Sequence, residues 1–231
     1  MRVEIWSDVA CPWCYIGKVR FERAVAEFGR PVEVTYRSYQ LDPSLPPHDD
    51  RSEVDYLVER KGMSRDQVRG MIAHVSEAAA GEGLAFDFDR LVVANSFTAH
   101  RLLHHAKAHG RLPELKGALL AAHFEQGRDI GDPETLVAVA ASVGLDAGES
   151  RDVLLSKRYT DDVRADIAEA RQIGVTGVPF YVFEDQYAVS GAQPSEVFVD
   201  VLRQVWTMTR PQLVTLGGPV DGEACGPEGC D

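Results

Sequence analysis

Ile5-Trp6-Ser7-Asp8-Val9-Ala10-Cys11-Pro12-Trp13-Cys14 joins a short apolar run to a Cys-x-x-Cys, and a helical pattern follows at once. Upstream, Val3 and Ile5 fall on one face of an alternating stretch over 2–7, which reads as a strand. Downstream, Pro12 suits a first helical turn, where its missing N–H costs nothing. Phe21, Ala24, Val25 and Phe28 then repeat at helical spacing up to Gly29, a natural helix end. Val32, Val34 and Tyr36 alternate over 31–39 as a second strand. A thiol at a helix N-terminus meets unsatisfied N–H groups that lower its pKa, so Cys11 is the candidate nucleophile. Cys14, one turn further on, is placed to attack a mixed disulfide. Pro12 stiffens the turn and Trp13 offers an apolar face beside the sulfur. Half of a zinc site is the competing reading of two thiols at this spacing.

Further along, Leu41–Asp50 is rich in proline and aspartate and reads as a loop and a boundary. Beyond it the pattern is helical. Ser64 and Gln67 form a capping box ahead of Val68, Met71, Ile72 and Val75. Asn95 or Ser96 caps a helix through Ala99, Leu102, Leu103 and Ala106, Pro113 opens another, and Asp132-Pro133 starts a third. Val163, Ile167, Ala170 and Ile173 mark a helix ended by Gly174. A strand follows Pro179, Glu184-Asp185-Gln186 turns the chain, and Tyr187–Ser190 returns. Pro194 opens a last helix with Val197, Val201, Leu202 and Val205 inward. From about 209 the chain is Gly- and Pro-rich without periodicity.

Asp and Glu number 36 against 24 Lys and Arg, a formal net charge of −12 over 231 residues. Nucleic acid and anionic membrane both require a basic footprint and are excluded as partners. No apolar run approaches the roughly 20 residues of a membrane span. The N-terminus has no basic segment leading into an apolar one, so the expected location is the cytoplasm. The four cysteines, Cys11, Cys14, Cys225 and Cys230, form two close pairs, which suits redox or metal chemistry better than a secreted disulfide framework.

Cys225-Gly226-Pro227-Glu228-Gly229-Cys230 can close a small loop as a disulfide. A redox relay, a structural disulfide and a share in a zinc site compete for this pair. His100/His104 and His105/His109 lie at i, i+4, but no Glu completes an HExxH, and the run reads as a solvated helix face without metal. His123 reads as a packed helix residue, and the Asp49-Asp50 and Asp161-Asp162 pairs as solvated charges.

Cys11-Pro12-Trp13-Cys14 after the first strand, Thr176-Gly177-Val178-Pro179 before the third, and a long helical stretch between them resemble the DsbA-like branch of the thioredoxin superfamily. Ser7-Asp8-Val9-Ala10 before the motif, Ala99-His100-Arg101-Leu102, Asp129-Ile130-Gly131-Asp132 and Val189-Ser190-Gly191-Ala192-Gln193-Pro194 resemble the FrnE-like subfamily, related to 2-hydroxychromene-2-carboxylate isomerases. The resemblance spans nearly the whole chain. It implies an α/β thioredoxin-like fold with an inserted all-helical domain. The core would comprise 1–45 and 155–208, the insert 50–154, and 209–231 a tail carrying the C-x4-C pair. It implies a thiol–disulfide oxidoreductase or isomerase with Cys11 as nucleophile and Cys14 as resolving thiol. Pro179 would be a cis-proline, the Val178 backbone would pair with an extended substrate, and Cys225/Cys230 would be a second redox pair. Two departures matter. The intervening dipeptide Pro-Trp lacks the His of strongly oxidising DsbA, and the isomerase relatives place a serine where Cys11 stands.

The expected function is disulfide exchange with disulfide-containing proteins or small thiols, in the direction of reduction or isomerisation. A redox-active disulfide serves in place of a tightly bound cofactor, with glutathione as co-substrate. The alternatives are a glutathione-dependent isomerase or oxidoreductase of small aromatic, polyketide-like metabolites, and a non-catalytic zinc module built on the two Cys pairs.

Overall fold

In the computed structural model, residues 1–209 are described, together with the backbone of Cys225–Gly226 and Gly229–Cys230. The first strand, β1 (Arg2–Ser7), is central. It pairs in parallel with β2 (Glu33–Ser38) from Arg2↔Glu33 to Ser7↔Ser38. Its other edge meets β3 (Phe180–Phe183) antiparallel, with Ile5 opposite Tyr181, and β4 (Tyr187–Ser190) follows, giving the order β2-β1-β3-β4. Strands from the two ends of the sequence therefore meet at β1, and every regular element between β2 and β3 is a helix: α2 (Glu53–Lys61), α3 (Arg65–Gly81), α4 (Phe97–Ala108), α5 (Leu112–Phe124), α6 (Pro133–Ser142), α7 (Ala147–Leu155) and α8 (Thr160–Gln172).

Two helices cover one face of the sheet, α1 (Pro12–Phe28) and α9 (Ser195–Thr209). Their contact is aromatic. Phe21 of α1 lies 5.2 Å from Tyr181 and 5.2 Å from Phe198, between ring centroids. These rings are almost wholly buried, and a buried Phe of this kind contributes about 2–3 kcal/mol by removal from water. Gly29 ends α1 in the left-handed conformation, donating its N–H to Val25 O at 3.3 Å.

On the opposite face, Trp6 packs against Ala170 of α8 and donates its indole N–H to Asp166 O at 3.0 Å. The Asp166 carboxylate accepts from Ser38 N at 2.8 Å and lies 3.0 Å from both Arg37 and His104. One buried carboxylate thus ties α8 to β2 and α4.

The Ser64–Gln67 capping box and the Asp132 cap form as their sequences dictate. Ser96 occupies the α4 cap position without a side-chain cap bond, whereas the Asn95 side chain accepts from Phe97 N at 2.9 Å. Val197, expected inward, lies at the surface, as do Met71 and Ile173 of the other helical patterns. In α9 the buried face runs through Phe198, Val199, Leu202 and Val205, because the helix turns Phe198 onto the Phe21 cluster and leaves Val197 beside it in solvent. Among the described residues, no helix is long and apolar enough to cross a membrane.

Candidate active site

β1 ends at Ser7, and the chain turns through Asp8–Ala10 so that Cys11 is the N-cap of α1, with extended φ −107° and ψ 114°. Cys14 lies one turn deeper, its N–H bonded to Cys11 O at 3.0 Å, and both cysteines are free thiols. The Cys11 sulfur is 3.6 Å from Val178 O. The Val178–Pro179 peptide is cis, placing the start of β3 directly beside the cysteine turn. This approach depends on Gly17. A Cβ there would sit 2.6 Å from Tyr181 Oη and 3.0 Å from Pro179 Cγ.

The surroundings of the sulfurs are charged and dry. Asp8 is fully buried between β1 and α1. Its carboxylate accepts from Leu41 N at 2.8 Å and Ala10 N at 3.2 Å and lies 3.2 Å from His100 Nε2. Burial pushes the Asp8 carboxyl up, but the His100 ring and the bonds from Leu41 and Ser96 outweigh it and hold it below the usual range. Burial lowers His100, so the neutral ring donates its Nε2–H to the Asp8 carboxylate.

Lys116 of α5 is 1% exposed, an extreme for an ammonium. Its pKa is lowered by burial and held up in part by the charges of Cys14, Asp8 and Cys11. Burial raises Cys14, yet a hydrogen bond from Cys11, the Lys116 charge and the otherwise unpartnered Ser7 hydroxyl lower it overall. Cys11 moves the other way. Its hydrogen bond to Cys14, its burial and the Asp8 charge push its thiol well above the ordinary value. At Cys11 the neighbouring thiol, burial and the Asp8 charge thus oppose the lowering that a helix terminus exerts.

Cys11, Pro12, Trp13 and Val178 form one wall of a cavity of about 590 Å³ whose other walls come from α2, α3 and the loop before α4. Cys14 does not reach it. Trp13 stands against His74 of α3, with ring centroids 5.7 Å apart. Burial pushes the Glu53 carboxyl on the cavity wall up to about 7. Arg60 lies at the same wall, 2.9 Å from Asp42.

Residues 2–203 match the DSBA-like thioredoxin domain. The chain belongs to that family. As a DSBA-like protein it is an enzyme of the disulfide oxidoreductase or isomerase class. It is similar over 100% of its length to the crystal structure of a probable DsbA oxidoreductase from Streptomyces coelicolor, at 46% identity, covering 98% of that chain, with a TM-score of 0.87. A 2-hydroxychromene-2-carboxylate isomerase aligns with 90% of this chain and 97% of its own at 16% identity, TM-score 0.67. The cytosolic disulfide reductase DsbM from Pseudomonas aeruginosa, solved with GSH, aligns with 89% of this chain and 100% of its own at 17% identity, TM-score 0.65. At such identities these two likenesses concern the fold, a thioredoxin-like sheet with helices inserted between β2 and β3.

The DSBA-like fold brings Cys11, Pro12, Trp13, Cys14, Val178 and Pro179 together from opposite ends of the sequence. Cys225 and Cys230 lie outside the residues whose side chains are described. Their backbone forms a two-residue antiparallel ladder with Cys225 opposite Cys230. Sequence reasoning missed the roles of Asp8, Gly17, His100 and Lys116, and saw only packing in His123, which also lines the cavity. For Asp8 and His100 a signal existed, since both fall within motifs singled out for resemblance. A lysine inside an otherwise apolar Leu115–Leu120 segment was a signal for Lys116. The histidine run of α4 is only partly a solvated face, with His109 exposed at its end. His100 and His105 are fully buried because α4 is covered by α5, α7 and α8.

Proposed function

We propose that this DSBA-like enzyme, of FrnE-like type, reduces or isomerises disulfides of protein and small-thiol substrates through Cys11 and Cys14. The observation that supports this most is the division of labour between the sulfurs. Cys11 faces a 590 Å³ cavity beside the Val178 carbonyl, and Cys14 lies behind it against Lys116.

The reactive form of the reduced pair holds one shared proton and one charge. As a substrate disulfide enters, the proton passes from Cys11 to Cys14 along their hydrogen bond, and the Cys11 thiolate attacks. One substrate sulfur leaves as a thiolate and a Cys11–substrate disulfide forms. Cys14 then gives its proton to the first substrate thiolate, an ionisation that the Lys116 charge favours, and attacks the Cys11 sulfur. The second substrate thiol departs, leaving a Cys11–Cys14 disulfide. Two substrate electron equivalents have moved, and two molecules of a thiol such as glutathione return them. The solved DsbM with GSH supports glutathione in that role and a reductive direction in the cytosol. The backbone at Val178 would align an extended peptide, with the thioredoxin-like unit at 1–45 and 155–208 and the helices of 50–154 as a lid.

Insulin reduction and refolding of scrambled ribonuclease test this. Cys11→Ser should lower both by at least about a hundredfold, and Cys14→Ser should accumulate a Cys11–substrate adduct visible by mass spectrometry. Activity that survives Cys11→Ser would falsify the assignment. A second reading, glutathione-dependent isomerisation of a small aromatic compound, is favoured by the largely apolar cavity beside Trp13. It predicts that Cys11→Ser retains isomerase turnover.

A further inference from the structure

We propose that His105, His109 and Glu149, far from any role assigned to the thiols, form a binding site for a zinc-like divalent cation that joins α4 to α7. One ligand atom from each lies within 4.8 Å of the others. Three observations converge on it.

First, His105 is 0% exposed and neither ring nitrogen has a hydrogen-bond partner. A buried imidazole with both nitrogens unmatched costs free energy that a metal bond would recover. Second, His109 Nδ1–H donates to His105 O at 2.9 Å. That bond fixes the tautomer in which Nε2 carries the lone pair, the arrangement found behind metal-bound histidines. Third, His109 Nε2 lies 3.4 Å from Glu149 Oε2. A tetrahedral zinc ion with bonds of about 2.0 Å separates its ligand atoms by roughly 3.3 Å, so this edge is already spaced correctly. His105 supplies the third vertex, its ligand atom within 4.8 Å of both others.

Two imidazoles and one carboxylate suit zinc and leave one position for water at the exposed side. Other histidines lack this convergence. His48 has Asp129 at Nδ1 and Asp50 at Nε2, on opposite sides of its ring, and His104 Nε2 is shared between Ser38 and Asp166. The sequence spacing alone could not distinguish these, since Glu149 comes from a different helix.

The test is zinc titration by calorimetry of the full chain with all four cysteines changed to serine, so that no thiolate competes. The diamide-oxidised wild-type chain serves as a second form should that variant misfold. The expected result is one equivalent bound with a rise in thermal midpoint. His109→Ala and Glu149→Ala, both at exposed positions, should each weaken zinc at least tenfold, and His48→Ala should leave it unchanged. Absence of zinc binding up to millimolar metal, or binding that survives both His109→Ala and Glu149→Ala, overturns the site.

Discussion

Gly17→Ala should damage this enzyme although the residue carries no functional group. The new Cβ would lie 2.6 Å from Tyr181 Oη, 3.0 Å from Pro179 Cγ and 3.3 Å from Ala192 Cβ. Ordinary contacts of this kind begin near 3.4 Å, so α1 or the Tyr181 ring must move by roughly 0.8 Å. The ring cannot simply retreat, because Phe21 lies 5.2 Å and Phe198 4.6 Å from it between centroids. Overpacking at a site this tight costs about 3 kcal/mol, and replacing a helical glycine returns about 1 kcal/mol. The net loss of about 2 kcal/mol corresponds to a fall in thermal midpoint of roughly 4–8 °C for a chain of this size. Moving α1 away from Pro179 also separates Cys11 from Val178, so insulin reduction well below the midpoint should fall by about tenfold or more. Gly70→Ala in α3 is the matched control. Nothing lies within 4 Å of its added Cβ, so it should gain about 0.5–1 kcal/mol. Circular-dichroism melts of both variants settle the matter. If Gly17→Ala melts with or above the wild type, the close seating of α1 on the Pro179 turn is refuted.

Lys116→Met should shift the pH midpoint of thiol alkylation by iodoacetamide upward, because the cation that favours a thiolate on Cys14 is gone. It should also slow release of the Cys11–substrate adduct. An unchanged pH profile would show that the lysine is only a structural neighbour. His123 is buried, and its pKa is lowered by burial to about 4, whereas the unfolded chain takes up that proton near 6.5. Its neutral form is therefore required for folding, so stability is lost as pH falls from about 6.5 toward 4, by up to about 3 kcal/mol. His123→Asn should flatten the fall in urea-derived stability over that window, and an identical slope in the variant would exclude His123 as a source of the acid sensitivity.

Local signals made much of this protein legible in its sequence. Strand alternation around Ile5, the Cys11-Pro12-Trp13-Cys14 turn, the Ser64 and Asp132 caps and the Gly29 helix end all depend on neighbours within a few residues, and all appear in place. The resemblance carried the family further than periodicity could, including the return of Val178-Pro179 to the cysteines across 160-odd residues, which the Cys11–Val178 contact confirms as geometry. Tertiary structure alone decided which side chains lose water. It buried Asp8, His100 and Lys116 and set a neighbouring thiol and a carboxylate against the helix terminus at Cys11 in a dry site. It made Gly17 a point of contact and turned an apparently solvated histidine run inward. Those outcomes depend on distances between segments far apart in the chain, and linear spacing holds no record of them.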